Sequence, residues 1–428
     1  MTRRMSRRRF VRSVAATSLW LASGPTRAAS AASAVVIRKE ITTLTADELA
    51  RLREAFRQLQ ANGGPSGYQD LAGIHGLPQR KCQHHNPTWL PWHRIYILNM
   101  ERALRQIDAS VSLPFWDWMS AVSIQSGIPD AYSAPHYTPP GGGQMPNPLY
   151  SALLGPLNRL TRRLPLPPSN LARYANKVQA AFTTRDFDTF SEALAMPHDD
   201  LHGWVGGDMG IVDNSAYDPL FWAHHANVDR LWAQWQLGPN NDNPPDPVLQ
   251  TVLDPFGTMV AQTIDYVHNL NYDYDVISPM PPIQIIQSTA RGKDEFRVKR
   301  PEAAAPPKPK VILHVYGLAK IAGSYRFHVF VNQPDATAET HLANNAHYAG
   351  TFSLFGTVDT KEAERHHGHQ GRRVNQRTLD ITQAVEKHSK PGEDLNIKLV
   401  VTDMMNHPVN VAQLPITGIS IEQSCSVK

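Results

Sequence analysis

A proline-dense segment divides this chain of 428 residues into two parts with different sequence patterns. Residues 279–310 contain Pro-Met-Pro-Pro and Ala-Ala-Ala-Pro-Pro-Lys-Pro-Lys, which predict an extended linker because proline continues neither a helix nor a central strand. Before the linker, apolar residues recur at helical spacing; after it, short β-branched runs alternate with turn residues. We therefore predict a mainly α-helical domain over residues 35–278 and a small β-sandwich over 311–428.

Periodicity places the main elements of both parts. Thr45 and Glu48 have the spacing of a capping box, which predicts a helix start immediately before residue 47. The predicted helices span residues 47–59, about 91–107, 171–182, 187–195 and 218–236. The predicted strands span residues 311–316, 325–331, 352–355 and 397–401. Residues 128–170 are rich in proline and glycine and predict an irregular loop.

The first 31 residues have the pattern of a targeting segment. Ser6-Arg7-Arg8-Arg9-Phe10 precedes a modest apolar run and Ala29-Ser30-Ala31, which predicts a twin-arginine signal of bacterial type and a periplasmic or secreted protein. A disordered basic tail is the alternative. Removing the seven arginines of this segment changes the formal net charge from +4 to −3, so the basic excess predicts no nucleic-acid partner. No apolar run is long enough to predict a membrane span.

Histidine is the abundant metal-binding residue type, with 19 histidines against 2 cysteines. Two cysteines are too few for a disulfide framework. The many histidines instead indicate a metal ion bound by imidazole rings. His198 and His202 are four residues apart, which places both rings on one face of a helix. This spacing also arises by chance in a histidine-rich chain, and no glutamate adjoins His198 as a zinc protease requires. His225 and Asp229 share a helix face, where a carboxylate would orient this region.

Two motifs resemble the copper-binding signatures of the tyrosinase family, the type 3 copper proteins. They are Trp89-Leu90-Pro91-Trp92-His93-Arg94 and the stretch from Asp218 to Asp229, with Pro114-Phe115-Trp116-Asp117-Trp118 between them. The resemblance covers about residues 35–275. It implies a helical bundle holding two copper ions, which use O2 as a co-substrate to oxidise phenols or o-diphenols to o-quinones. A separate copper-delivery partner is an open possibility.

The resemblance also assigns the copper ligands residue by residue. It implies that one copper is held by His75, His84 and His93, and the other by His198, His202 and His225. The adjacent His85 and His224 are interpreted as neighbours of ligands.

One of the two cysteines lies beside the first group of implied ligands. Cys82 lies where fungal relatives form a thioether to the ring of the ligand at the position of His84. A free buried thiol, or a soft ligand that helps copper loading, is the alternative. Cys425 is interpreted as an incidental thiol.

Substrate handling is less clearly implied. The family places a water-holding glutamate before the first ligand of the second copper, for which Glu192 is the candidate, and an asparagine after that ligand, where this chain has Asp199. Val212 and Gly203 occupy the gate positions and favour an open entrance. Whether the protein hydroxylates monophenols or oxidises only diphenols stays open. Leu270-Asn271-Tyr272-Asp273-Tyr274 resembles the family's tyrosine motif, whose implied partner is Arg38.

The second part resembles, more weakly, the β domain that follows the catalytic domain in plant-type polyphenol oxidases. Residues 325–332 and 349–352 carry this resemblance, which implies an intramolecular shield over the copper site and a proteolytic point in the linker. His366-His367-Gly368-His369 would contact copper transiently or form a solvated loop. Two other functions are considered: an oxygen carrier of the hemocyanin kind without turnover, and a copper store.

Overall fold

The structure of this protein is a computed structural model. It describes residues 34–238, 241–277, 310–318, 321, 323–356, 376–390 and 393–423, with the backbone of two short strands, Thr289–Ala290 and Phe296–Arg297. The predicted signal, most of the predicted linker, the His366–His369 motif and Cys425 lie outside the described residues. Among the described residues, no helix is both long and apolar enough to cross a membrane.

Long helices build the first part of the chain. They are α1 (Ala46–Ala61), α2 (Tyr68–His75), α3 (Trp89–Ile107), α4 (Leu171–Phe182), α5 (Phe187–Val205) and α6 (Pro219–Gln236). The capping box at the start of α1 is present, with Thr45 and Glu48 bonding each other's backbone N–H. Helix α5 continues ten residues beyond the predicted end at Ala195. Residues 197–205 are buried all round, and such a segment shows no amphipathic period for sequence analysis to detect.

Shorter elements connect these helices. One-turn and two-turn helices lie at Ala121–Ser126, Asp130–Ser133, Val212–Ser215, Asp246–Leu249, Val260–Ile264 and Tyr266–Leu270. Antiparallel two-residue strands pair as His136–Tyr137 with Met145–Pro146, Leu153–Leu154 with Arg159–Leu160, and Val252–Leu253 with Thr258–Met259. The predicted irregular loop thus contains two small hairpins. Strand β1 (Val36–Arg38) pairs in parallel with β2 (Tyr272–Tyr274) and brings the two ends of the helical domain together.

The second part is a β-sandwich, here called the β domain. Its strands are β3 (Val311–Tyr316), β4 (Tyr325–Val331), β5 (Tyr348–Leu354), β6 (Gln376–Asp380), β7 (Ile397–Asp403), β8 (Pro408–Val409) and β9 (Gly418–Gln423), with helix α7 at Thr382–His388. One antiparallel sheet has the order β6-β3-β9 and the other β5-β4-β7-β8. Apolar residues from both sheets, such as Leu313 and Phe327, share one core. The predicted fold class, a helical domain followed by a small β-sandwich, is confirmed.

A buried ionic network fixes the strand pair β1–β2 to the helices. The Arg38 guanidinium lies 3.6 Å from the Tyr272 ring centroid and donates to the Tyr274 hydroxyl at 3.1 Å, as predicted for the tyrosine motif. The Asp229 carboxylate accepts from Arg38, Arg94 and both tyrosine hydroxyls. The hypothesis that Asp229 orients the region of His225 is therefore corrected. Its oxygens are engaged by this network, and His225 Nδ1 has no hydrogen-bond partner among the described residues, so no bond joins Asp229 to the His225 ring.

We expect Asp229→Ala to destabilise the protein by about 3–5 kcal/mol, because it leaves buried guanidinium groups without this counter-charge. Denaturant unfolding followed by tryptophan fluorescence measures the change. Glu54→Ala is the matched control, since the Glu54–Arg57 pair is nearly half exposed and its loss should cost less than about 1 kcal/mol. Equal losses for the two variants would contradict the role given to the network.

The β domain packs against helix α5 through polar contacts. Arg326 on β4 is fully buried, and its guanidinium donates to the carbonyl oxygens of Gly203 at 2.6 Å and Leu164 at 2.5 Å. A cation at this position complements the partial negative charge at the carboxyl end of α5. A Cβ added at Gly203 would lie 1.9 Å from Ser353 Oγ of the β domain. Strand β5 therefore covers Gly203 while the β domain is docked, and the role of Gly203 at the entrance stays a prediction.

Candidate metal centre

Histidines from four helices and one loop converge in the interior of the helical domain. Within each of two groups, the candidate ligand atoms lie within 4.8 Å of one another. The first group is His75, His84 and His93, and the second is His198, His202, His224 and His225. The rings of His93 and His225 stack at 4.4 Å and 10°, so the two groups face each other. The structure thus brings together all six predicted ligands, with His224 as a seventh histidine.

Backbone carbonyls orient three of these rings. The Nδ1 atoms of His75, His93 and His202 lie 3.2, 2.8 and 2.7 Å from the carbonyl oxygens of Val212, Trp89 and Met209. A carbonyl accepts only from a protonated Nδ1, so each Nε2 carries a lone pair. Val212 is itself buried and contributes its carbonyl to this arrangement. Its role as a gate residue stays a prediction.

The Nε2 atoms are the groups that fit a metal ion. In the described part of the chain, the Nε2 atoms of His75, His84, His93 and His198 are buried and have no hydrogen-bond partner. Nε2 of His202 lies 3.2 Å from Nε2 of His225. Buried polar atoms without partners are costly, and a metal ion bound by these lone pairs removes that cost.

Burial keeps these imidazoles neutral. It lowers the pKa of His93 from 6.5 to about 3, and it holds the pKa values of His75, His84, His202 and His225 well below the ordinary value. Repulsion among the clustered rings acts in the same direction. Because the neutral ring is the form that binds metal, the site is prepared for metal at ordinary pH.

His224 adjoins His225, which the family resemblance implies is the ligand. Both of its ring nitrogens are buried without a hydrogen-bond partner among the described residues, and its ring stacks on His198 at 5.2 Å and 19°. Helix α6 is buried on every side around His224. The sequence therefore has no amphipathic pattern there that would show which histidine faces the site. The choice of His225 as the ligand stays a prediction.

Asp199 connects the second histidine group to the β domain. Its Oδ1 lies 3.1 Å from His198 Nδ1, and its Oδ2 lies 3.2 Å from His85 Nε2 and 2.7 Å from Arg377 Nη2 on β6. Burial alone would raise the pKa of the Asp199 carboxyl, but attraction to His85, the bond from His198 and the charge of Arg377 together hold that pKa well below its usual range. A carboxylate therefore orients the His198 ring.

Glu192 and Cys82 are two further residues of the predicted site. Glu192 is on the exposed face of α5, whereas His198 is buried, so the structure does not bring the predicted water-holding carboxylate to the histidines. Cys82 is a free cysteine beside the first group, and burial of its sulfur raises the pKa of the thiol to about 12. A thioether between Cys82 and His84 stays a prediction.

The ring that closes the site comes from the β domain. Phe355 stacks on His202 at 4.0 Å and 10°, and its centroid lies 5.6 Å from that of His84 and 5.9 Å from that of His198. Sequence analysis placed Phe355 only at the end of a strand, because pairing across domains leaves no local pattern. The structure thus contains two facing histidine groups, each able to hold a metal ion, in a helical domain and covered by an aromatic side chain of a β-sandwich.

Comparisons with known proteins agree with this class. Residues 65–237 match the family model for the common central domain of tyrosinase, and residues 283–424 match a domain of unknown function (DUF7868). The chain is 31% identical over 355 residues to the hemocyanin β-C chain unit D of Helix pomatia, covering 75% of this chain and 82% of that protein. It is 32% identical over 235 residues to the tyrosinase of Streptomyces glaucescens, covering 47% and 83% respectively. The chain therefore belongs to the tyrosinase family of type 3 copper proteins, which includes hemocyanins.

The similarity in fold extends over both domains. The structure of the tyrosinase from Burkholderia thailandensis superimposes with a TM-score of 0.62 at 18% identity, covering 91% of this chain and all of that one. A β domain after the helical domain is therefore part of the shared fold.

Proposed function

We propose that this protein is a copper-dependent oxidase that uses O2 to convert phenols or o-diphenols into o-quinones. Two copper ions, one held by each histidine group, would supply the redox chemistry. The observation that carries the proposal is the ring of Phe355 stacked on His202. It fills a space directly over a ligand, and a phenol has the flat ring that this space accepts.

The residues of the chain position the reactants. The buried Nε2 atoms of the histidines bind the metal, and the His202 ring provides the stacking surface for an aromatic substrate. Asp199 acts by orienting His198 through Nδ1. A carboxylate whose pKa lies far below its usual range is a weak base for a phenol, whose free pKa is about 10. While Arg377 is docked, Asp199 therefore serves as an orienting group rather than as the proton acceptor.

We further propose that the β domain keeps the enzyme latent. Its interface with α5 relies on ionic and hydrogen-bonding contacts such as Arg377–Asp199 and Arg326–Gly203. Polar interfaces between domains of one chain are the kind that separate most readily. The proline-rich residues 279–310 are the proposed cleavage point, and residues 1–31 are proposed to direct export.

Oxygen binding without turnover is the second candidate function. The 31% identity to a hemocyanin unit over 82% of its length favours it. The two candidates differ in whether an aromatic substrate ever replaces Phe355.

Oxygen uptake by purified, copper-loaded protein tests the proposal. The protein is given a monophenol and then a catechol, before and after limited trypsin treatment. We expect slow uptake before proteolysis and faster uptake afterwards. Uptake with both substrates would define a tyrosinase, and uptake with catechol alone a catechol oxidase. No uptake in any state despite two bound copper ions would contradict the enzyme proposal, and equal rates before and after nicking would contradict the latency proposal.

Acid is expected to weaken the β domain through His328. This residue lies on β4 two positions from Arg326, on the same face, and burial together with that charge lowers its pKa from 6.5 to about 3. The unfolded domain takes up a proton that the folded domain excludes, so stability rises with pH between about 3 and 6.5 and is lost as pH falls through that range. Urea unfolding of the parent and of His328→Asn at about pH 7, above this range, and at about pH 4.5, inside it, measures the difference.

The variant should lose part of the acid sensitivity. His341→Asn is the control, because His341 is an exposed residue of the same domain. Identical pH dependence in the parent and in His328→Asn would contradict this role of His328.

A further inference from the structure

We infer that the site, once the β domain is displaced, selects phenols that carry an ammonium group on a short aliphatic tether, with Asp199 as the specificity-determining residue. This inference rests on the proposed function. It follows from what the β domain itself inserts against α5, namely the aromatic ring of Phe355 and the guanidinium of Arg377.

The cationic part of this pair is tightly held. Arg377 is 2% exposed, and its Nη2 lies 2.7 Å from Asp199 Oδ2. Its remaining contacts are with Met196 Sδ at 2.6 Å and with the carbonyl oxygen of Ser353 at 3.5 Å. Asp199 is therefore the anion that balances this guanidinium, and displacement of the β domain removes a cation from a carboxylate beside the histidine site.

The aromatic part stacks on His202, which follows Asp199 by three residues, or about one helical turn, along α5. Phe355 stacks on His202 and lies 5.9 Å from the ring of His198, whose Nδ1 is 3.1 Å from Asp199 Oδ1. One face of α5 thus binds an aromatic ring and a cation at the same time. A phenol with a tethered ammonium group presents the same two features in a single molecule.

The neighbouring carboxylate does not share this property. Asp200 pairs with Lys177 of α4, which belongs to the helical domain and stays in place when the β domain leaves. The bond that Asp200 loses is one from the backbone N–H of Ser353, at 2.9 Å. Asp199 is thus the carboxylate whose cation departs, although His85 remains near its Oδ2. A cationic substrate restores the lost pairing, a neutral one does not, and an anionic one is repelled.

Binding of non-reacting probes tests the inference in the full-length chain. The double variant Phe355→Ala/Arg377→Ala removes the ring and the guanidinium while keeping the β domain. Phenethylamine, phenethyl alcohol and phenylpropionate differ mainly in the charge at the end of the tether. We expect the amine to bind about ten to a hundred times more tightly than the alcohol, since charged hydrogen bonds contribute that factor, and the acid to bind most weakly.

Two further variants locate the effect. Adding Asp199→Asn to the double variant should bring the affinities for amine and alcohol together, whereas adding Asp200→Asn should preserve the preference for the amine. Equal affinities in the double variant, tightest binding of the acid, or a preference that survives Asp199→Asn would overturn the inference.

A second measurement uses the unmodified chain, so it does not depend on whether a variant folds. A ligand that competes with Phe355 and Arg377 favours the displaced domain, so phenethylamine should accelerate tryptic cleavage more than phenylpropionate does. Equal acceleration by the two probes would overturn the inference. Dopamine, hydroxytyrosol and dihydrocaffeate then test turnover separately. If the amine probe binds preferentially but none of these catechols is oxidised, the proposed function fails while the assigned selectivity stands.

Discussion

Replacing Phe355 by alanine in the full-length, copper-loaded chain is expected to raise the rate of catechol oxidation by about one to two orders of magnitude. The ring of Phe355 stacks on His202 and is close to His84 and His198, so substrate reaches the histidines only when this ring is displaced. In the parent chain, only the small fraction of molecules in which this ring has moved away can bind substrate. Removing the ring leaves the histidines accessible in every molecule, so the apparent activity rises with the accessible fraction. Initial rates of oxygen uptake at equal copper content measure the change.

The control is the same substitution elsewhere in the β domain. Phe330 is fully buried in a small apolar cluster around Ala336 and Val400, within the β domain. Phe330→Ala therefore reports what a cavity in the β domain does to activity by loosening the domain. A comparable rise in both variants would show that domain stability, rather than the ring over His202, controls access.

Replacing His225 by asparagine is expected to reduce bound copper from two ions per chain to one and to lower oxygen uptake by about a thousandfold or more. Its Nε2 lies 3.2 Å from Nε2 of His202, where one metal ion satisfies both lone pairs. His224→Asn should retain both copper ions, with a loss of at most about a hundredfold, the range typical of residues that support ligands. Metal analysis after dialysis against a chelator measures the copper content.

These two variants decide between adjacent histidines on a helix that is buried on all sides. Both side chains are 1% exposed or less, so loss of packing affects the two variants similarly and the copper count separates them. Loss of one copper ion from His224→Asn with retention of both in His225→Asn would reverse the assignment. Loss from both variants would make His224 a further ligand of the same ion.

Local patterns predicted the elements whose stability is local. The capping box at Thr45, helix α4 and strands β3 and β4 lie where periodicity placed them, because capping and alternation depend on residues a few positions apart. The end of α5 was predicted ten residues early, since its last turns are stabilised by burial against both domains. Amphipathic periodicity disappears where every face of a helix is covered.

The division into a helical and a β part follows from the amino-acid sequence alone, because it depends on residue type and on spacing along the chain. The role of the two histidine-bearing motifs and the pairing of Arg38 with the tyrosine motif are what the family resemblance implied. The folded chain was needed to show that Phe355 covers His202, that Arg377 pairs with Asp199, and that Gly203 lies beneath β5. These contacts join residues about 150 or more positions apart, and their energies depend on burial and distance, which spacing along the chain does not encode.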